Sequence, residues 1–268
     1  MYNLLVKPFV RRMNTGKASS LALAYFKMIG MIPGGRFINR LVHGNRPQGL
    51  EKEVFGLNFY NPVGLGAGLD LKGDLYDNLE DLGFSFVEIG PLDADSTRHA
   101  ISNIQKNPQS DILAACIGKD FLLSFSLAYD FCDMFVIELP DASTSVLDAI
   151  LDCRLSYDGD KPVIAKLPES LTGQEIADIV EYCRYNGVDG IETRSYSQTS
   201  QVAMLSEGRL PIIANCHIKT PSEAAKALSL GAELIVVRSG LVTQGPRLVA
   251  SILRYLSAKN SNNEQNKR

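Results

Sequence analysis

Several short stretches of this chain place a charged or polar side chain directly after an apolar run, the arrangement in which a rigid element can hold a reactive group still. Lys166 closes the run Val163–Lys166. A lysine there is costly unless an opposite charge or a cofactor satisfies it. Glu138 and Glu192 close neighbouring runs, so an ion pair with either is one answer and a bound group at the same spot is the other. Glu138 with Asp141 reads as a general base and its neighbour. The simpler reading is that Asp141 caps a helix opening at Pro140–Ser143. Glu192, Thr193 and Arg194 stand together, Asn215, Cys216 and His217 follow a later run, and Arg238, Ser239 and Gly240 follow the last; Asp70 follows the first.

Phosphate chemistry has two candidate supports. Ser239-Gly240 offers close backbone approach. Thr220–Glu223 is a capping box with proline at the first helical position, and a helix N-terminus attracts anions. His217 can donate its backbone N–H to such a group, or can be a hydrogen-bonded loop residue. These residues also fit a barrel enzyme that handles a phosphate-bearing ligand with Glu138, Lys166 and Glu192. No zinc spacing, P-loop, nucleophile elbow or nucleic-acid motif is present, so neither a metal nor a nucleic-acid partner is expected.

The elements that would position these residues follow from periodicity. From Glu51 onward apolar runs alternate with amphipathic segments, the pattern of parallel strands joined by helices. The strands are expected at Val63–Gly66, Phe86–Gly90, Ile112–Ile117, Met134–Leu139, Val163–Lys166, Gly190–Thr193, Pro211–Ala214 and Leu234–Val237. Eight such strands in a chain of 268 residues predict a (β/α)8 TIM barrel, in which function collects at the C-terminal strand ends. A hairpin over Glu53–Tyr60, turning at Gly56, is expected to plug the barrel bottom. Thr172–Tyr185 has helical spacing. Ser19–Gly30 and Arg36–Val42 read as short helices of an N-terminal extension. The expected division is residues 1–46 as a basic helical extension, 47–258 as the barrel, and 259–268 as a disordered tail.

Residues 1–50 carry Lys7, Arg11, Arg12, Lys17, Lys27, Arg36, Arg40 and Arg46 and no acid, although the whole chain has a net charge of −3. A basic arm on an acidic body suits an anionic membrane surface, packing against the body itself, or an organelle transit segment. The longest apolar stretch of the arm, Leu21–Ile32, is interrupted by Lys27 and is too short to span a bilayer. The five cysteines form no CxxC and mostly sit in apolar runs, as expected of reduced core residues in a cytoplasmic protein.

Phe55–Asp70, with the sequence FGLNFYNPVGLGAGLD, resembles the opening barrel motif of dihydroorotate dehydrogenases. Leu82–Gly90, Ile117–Lys119, Pro162–Lys166, Gly187–Ile191, Leu210–Ile213, Gly231-Ala232 and Gly240–Pro246 continue the resemblance in the family's order, over nearly the whole chain. The arm is similar to that of the membrane-associated, quinone-linked class. The resemblance implies an FMN flavoprotein that oxidises dihydroorotate to orotate in pyrimidine biosynthesis, peripheral on the cytoplasmic membrane face. It places Ala67, Gly68, Lys166, Thr193, Ser239 and Gly240 at FMN-contacting positions and His217 in the phosphate turn. The family's substrate and base positions fall on Glu138, Asp141, Ser143 and Arg194, with Asp141 in place of a serine base. Leu71 stands where the family has a substrate lysine and Pro91 where it has a threonine. Asp93–Asn107 is too short for the family's substrate loop. These departures imply a second reading, a catalytically inactive relative that serves as a ligand-binding or scaffolding protein.

Overall fold

The computed structural model describes residues 2–10, 12–32, 47–108 and 111–265. Lys52–Val54 (β1) and Leu57–Phe59 (β2) form an antiparallel hairpin. The eight strands that follow are Val63–Leu65 (β3), Phe86–Leu92 (β4), Ile112–Ile117 (β5), Met134–Glu138 (β6), Val163–Lys166 (β7), Gly190–Thr193 (β8), Ile212–Ala214 (β9) and Leu234–Val236 (β10). All pair in parallel and in chain order, and β10 closes on β3. This is the expected (β/α)8 barrel. Strand ends differ from expectation by a residue or two. β4 runs on to Leu92 because its pairing with β5 shifts register between Ile89 and Leu92.

Alternate residues of each strand face the lumen. Val54, Phe59, Phe86, Ala114, Met134, Val136, Ile164, Ile213, Leu234 and Val236 fill it as one apolar cluster. The hairpin supplies the plug at the strand N-termini. Phe59 meets Phe86, the first residue of β4, edge to face at 5.4 Å. The opposite faces of the strands join a second, larger core with the surrounding helices. Positions Glu88, Cys116, Lys166 and Glu192 continue the inward alternation one layer above the apolar fill, so the strand period itself creates a polar floor under the C-terminal mouth.

The helices begin where their chemistry says they should. Thr220 and Thr172 each close a capping box, with Glu223 and Glu175 respectively. The first long helix covers Thr15–Met31 rather than starting at Ser19, because Asn14 caps it by accepting from the Lys17 N–H. The expected helix Arg36–Val42 lies outside the described residues. The last helix runs from Arg247 to Gln265. Leu248, Ile252, Leu253 and Leu256 bury its earlier turns, and extending a helix already formed costs little per residue.

The N-terminal arm packs on the barrel. Tyr2, Val6, Val10, Ala18, Ala22 and Phe26 belong to the same core as the outer barrel shell. The Tyr2 hydroxyl donates to the Val242 carbonyl, and Lys7 Nζ donates to Gln244 Oε1 at 2.9 Å. Both contacts fall on the short helix Ser239–Gln244 that follows β10. The other side of the arm leaves Leu4, Phe9, Met28, Met31 and Ile32 exposed.

Candidate functional site

The polar floor is built from four strands and two loops. Lys166, only 2% exposed, places Nζ 2.7 Å from Glu192 Oε1, 3.7 Å from Glu88 Oε2 and 3.9 Å from Cys116 Sγ. Glu88 Oε2 also accepts from the Ala67 N–H at 2.9 Å, and Glu192 Oε1 accepts from Asn215 Nδ2 at 2.9 Å. A continuous polar chain thus crosses the lumen from the end of β3 to the end of β9. Of the two ion-pair partners expected for Lys166, Glu192 takes the role and Glu138 does not.

Two carboxylates face one ammonium in this layer, with consequences for protons. Burial, then repulsion from Glu192, pushes Glu88 up to about 8, against the pull of Lys166. Burial works against the charge on Lys166, but the neighbouring Glu192 and Glu88 outweigh it and raise its pKa. Burial raises the Cys116 thiol well above its ordinary value, so it remains a neutral neighbour. Glu88 Oε1 and Glu192 Oε2 are buried without a hydrogen-bond partner.

Above the floor, Glu138 and Arg194 form an ion pair across the mouth. Arg194 also donates from Nε to the Leu167 carbonyl at 3.2 Å, and its backbone N–H donates to Gln198 Oε1 at 2.7 Å. The pair therefore straddles the end of β7, directly over Lys166. Asp141 and Ser143 lie apart from it in an exposed loop. Asp141 Oδ1 accepts from the Ser143 N–H at 2.7 Å, and Ser143 Oγ approaches Ser145 Oγ at 3.0 Å. The next helix starts only at Ser145, so the expected helix-capping role of Asp141 is corrected: its carboxylate braces the turn before the helix. Asp70 likewise braces the loop after β3, accepting from the Asp74 and Leu75 N–H groups at 2.8 Å each.

The loops after β9 and β10 meet beside the end of β3. Gly240 packs against the Ile218 backbone, which locks the two loops together. His217 adopts a left-handed backbone, φ 53°, of the kind glycine favours, and its ring is half exposed, 4.0 Å from Glu169. Ser239 Oγ is buried and has no hydrogen-bond partner. Arg238 lays its guanidinium over Gly68, whose φ of +97° and missing Cβ make the room. The capped helix is a poorer anion seat than expected. The Glu223 carboxylate already accepts from the Lys219 and Thr220 N–H groups, at 2.7 and 3.0 Å. Thr193 points away from the lumen, with Oγ1 2.7 Å from Thr199 Oγ1 on the helix Tyr196–Ser206.

Sequence reading singled out Lys166, Glu192, Glu138, Arg194, Ser239 and His217, and all gather at one barrel end. It missed Glu88 and Cys116. Glu88 had a signal: it is a carboxylate two residues from Phe86 in an otherwise apolar strand, hence on the same inward face. Cys116 had none, because its type suits an apolar core equally well.

No protein-family model matches the chain. Its curated relatives include quinone-linked dihydroorotate dehydrogenases. That of Christiangramia forsetii is 24% identical over 338 aligned positions, which cover 97% of this chain and 99% of the relative. That of Trichormus variabilis is 28% identical and covers 81% of each. An alignment of 338 positions exceeds the 268 residues of this chain, so the Christiangramia relative carries segments that this chain lacks. The connection from β4 to β5 contains the helix Ala94–Lys106. Among solved structures, the dihydroorotate dehydrogenase of Eimeria tenella in complex with ferulenol aligns with a TM-score of 0.70 at 19% identity, covering 79% of this chain and 84% of that one. A mandelate oxidase variant carrying an FMN adduct aligns with a TM-score of 0.55 at 15% identity, covering 80% and 78%. The chain is thus similar over most of its length to dihydroorotate dehydrogenases and shares their barrel.

Proposed function

We propose that this chain is a dihydroorotate dehydrogenase-like flavoprotein whose mouth holds FMN but whose substrate pocket has been rebuilt. The observation that carries the reading is the phosphate end. The unpartnered Ser239 hydroxyl, the glycine-like turn at His217 and the Arg238 guanidinium over Gly68 lie together where the β9 and β10 loops meet. A hydroxyl buried without a partner is costly, and an anion's oxygen would satisfy it. Ala67, Gly68 and Gly240 provide backbone that a planar ring and a phosphate can approach closely. Lys166 forms the floor under the ring end, with Glu192 as its partner. The quinone-linked enzymes among the relatives, and the FMN adduct of the mandelate oxidase, support the same cofactor. The chemistry that FMN supplies when bound is two-electron acceptance.

The substrate side departs from dihydroorotate. That substrate is an anion, and Leu71 offers it no charge. The rim cation Arg194 is neutralised by Glu138. Adding a carboxylate and removing a lysine near an anion disfavours binding by several-fold at least. One observation favours the catalytically silent relative: Asp141, at the base position, is exposed and turned to its own loop. The arm extends the reading to a location. No helix among the described residues is long and apolar enough to cross a membrane. Exposed Leu4, Phe9, Met28, Met31 and Ile32 with the basic residues of the arm suit peripheral contact with the anionic cytoplasmic membrane face.

Absorption spectroscopy tests the cofactor. Adding the protein to FMN should sharpen and shift the flavin bands, as transfer from water into a protein site does. Bands unchanged at saturating protein overturn the reading.

A further inference from the structure

Among the described residues, Lys166 is the one basic side chain in the fully buried set, so it alone can bring a positive charge to the inner end of the mouth. Two carboxylates compete for it. Glu192 stands at 2.7 Å, a full charge-assisted hydrogen bond, while Glu88 stands at 3.7 Å and gives its hydrogen-bonding oxygen to the Ala67 N–H. Asn215 donates to the same Glu192 oxygen and fixes it in place. The third neighbour, Cys116, is a weak acceptor at 3.9 Å. The geometry is therefore asymmetric: Glu192 is the braced partner and Glu88 the loose one.

We propose that Glu192 is a specificity-determining residue of the mouth: by binding the Lys166 ammonium it withholds that charge from the ligand, and so fits the inner end to a neutral, hydrogen-bonding ring rather than to an anionic group. The inference rests on the FMN reading and adds to it which residue tunes the ring end. β8 brings Glu192 into register with Lys166, so the withholding is built into the sheet. A lysine whose only close acceptor is removed turns its donors to the next available acceptor. Glu88 is the nearest acceptor left, but it gives that oxygen to the Ala67 N–H and holds a proton, so with Glu192 uncharged the ring of the bound ligand is the better acceptor.

Calorimetric titration of wild type, Glu192→Gln and Glu88→Gln with FMN and with riboflavin tests this. Both substitutions place a neutral amide in the same buried layer, so a general effect of altering that layer would move both alike. The expected result is that Glu192→Gln binds FMN at least about tenfold more tightly, the size of one hydrogen bond to a charged group. Riboflavin, which has the ring and lacks the phosphate, should gain by the same factor. Glu88→Gln should gain no more than about twofold, since Glu192 still holds the lysine. Adding Lys166→Met to Glu192→Gln should erase the gain, and a single cooperative melting transition above the titration temperature establishes that each variant is folded. Equal gains in the two glutamine variants, or none in Glu192→Gln while wild type binds FMN, overturn the inference and leave the FMN reading standing. If Glu192→Gln does not fold, the same comparison is made with Glu192→Asp, which draws the carboxylate back by one methylene and should tighten both ligands in the same sense. Binding by none of the proteins overturns the inference and the FMN reading together.

Discussion

Lys166 and Glu192, on adjacent strands of the barrel, form a fully buried ion pair of 2.7 Å directly beneath the mouth. The desolvation of both groups is offset only because each has a second partner, Glu88 for the lysine and Asn215 for the glutamate. Removing the lysine should therefore cost far more than its contacts suggest. Lys166→Met leaves the Glu192 carboxylate buried without its cation, and urea unfolding at neutral pH should show a loss on the order of 3–5 kcal/mol. A loss under about 1 kcal/mol would mean that the layer is not the closed charge network described here.

Glu88 gives the stability a defined pH dependence. Its folded-state pKa lies near 8, above the ordinary 4.5, so the folded protein holds a proton that the unfolded chain has released. That contribution is complete below about pH 4.5 and is lost as pH rises through about 8, with a slope of at most about 1.4 kcal/mol per pH unit. The difference in unfolding free energy between wild type and Glu88→Gln should fall steadily over this window, because the other titrating groups cancel. A flat difference, or one that rises, contradicts a proton held on Glu88 in the folded protein.

The barrel was legible because its evidence is periodic. Each apolar run from Val63 to Val237 carries its own inward and outward alternation, and eight of them leave few other architectures. The site was legible in part, because strand ends can be found by the same count. What the count does not contain is pairing. Sequence alone offers Glu138 and Glu192 equally to Lys166; Arg194, which crosses over Leu167 to take Glu138, decides between them. Arg238 over Gly68 is a tertiary contact between the first and last strands, and no local signal announces it.

Dihydroorotate should be a poor reductant of the flavin-loaded protein. Mixed anaerobically with it, the FMN-loaded protein should keep its oxidised spectrum over minutes. Asp141→Ala should behave identically, because that carboxylate is exposed and engaged with the Ser143 N–H. Rapid bleaching that Asp141→Ala abolishes would reverse this and assign Asp141 as the base.

The arm should bind anionic vesicles, since each basic residue near such a surface contributes about 1 kcal/mol, reduced by salt. Co-sedimentation should weaken as salt rises. Phe9→Ser, on the exposed side, should weaken it further without unfolding the core that Tyr2, Val6 and Val10 share with the barrel. Equal binding to neutral vesicles would contradict an electrostatic attachment.

The claim on which the rest depends is that the junction of the β9 and β10 loops with Gly68 seats the phosphate of FMN. Calorimetric titration of the wild-type protein with FMN, riboflavin and inorganic phosphate tests it most directly, with Arg238→Met alongside. The account predicts micromolar FMN, riboflavin weaker by at least about tenfold, and Arg238→Met lowering FMN affinity toward that of riboflavin while leaving riboflavin unchanged. Equal affinity for FMN and riboflavin, or no heat with either, would contradict it.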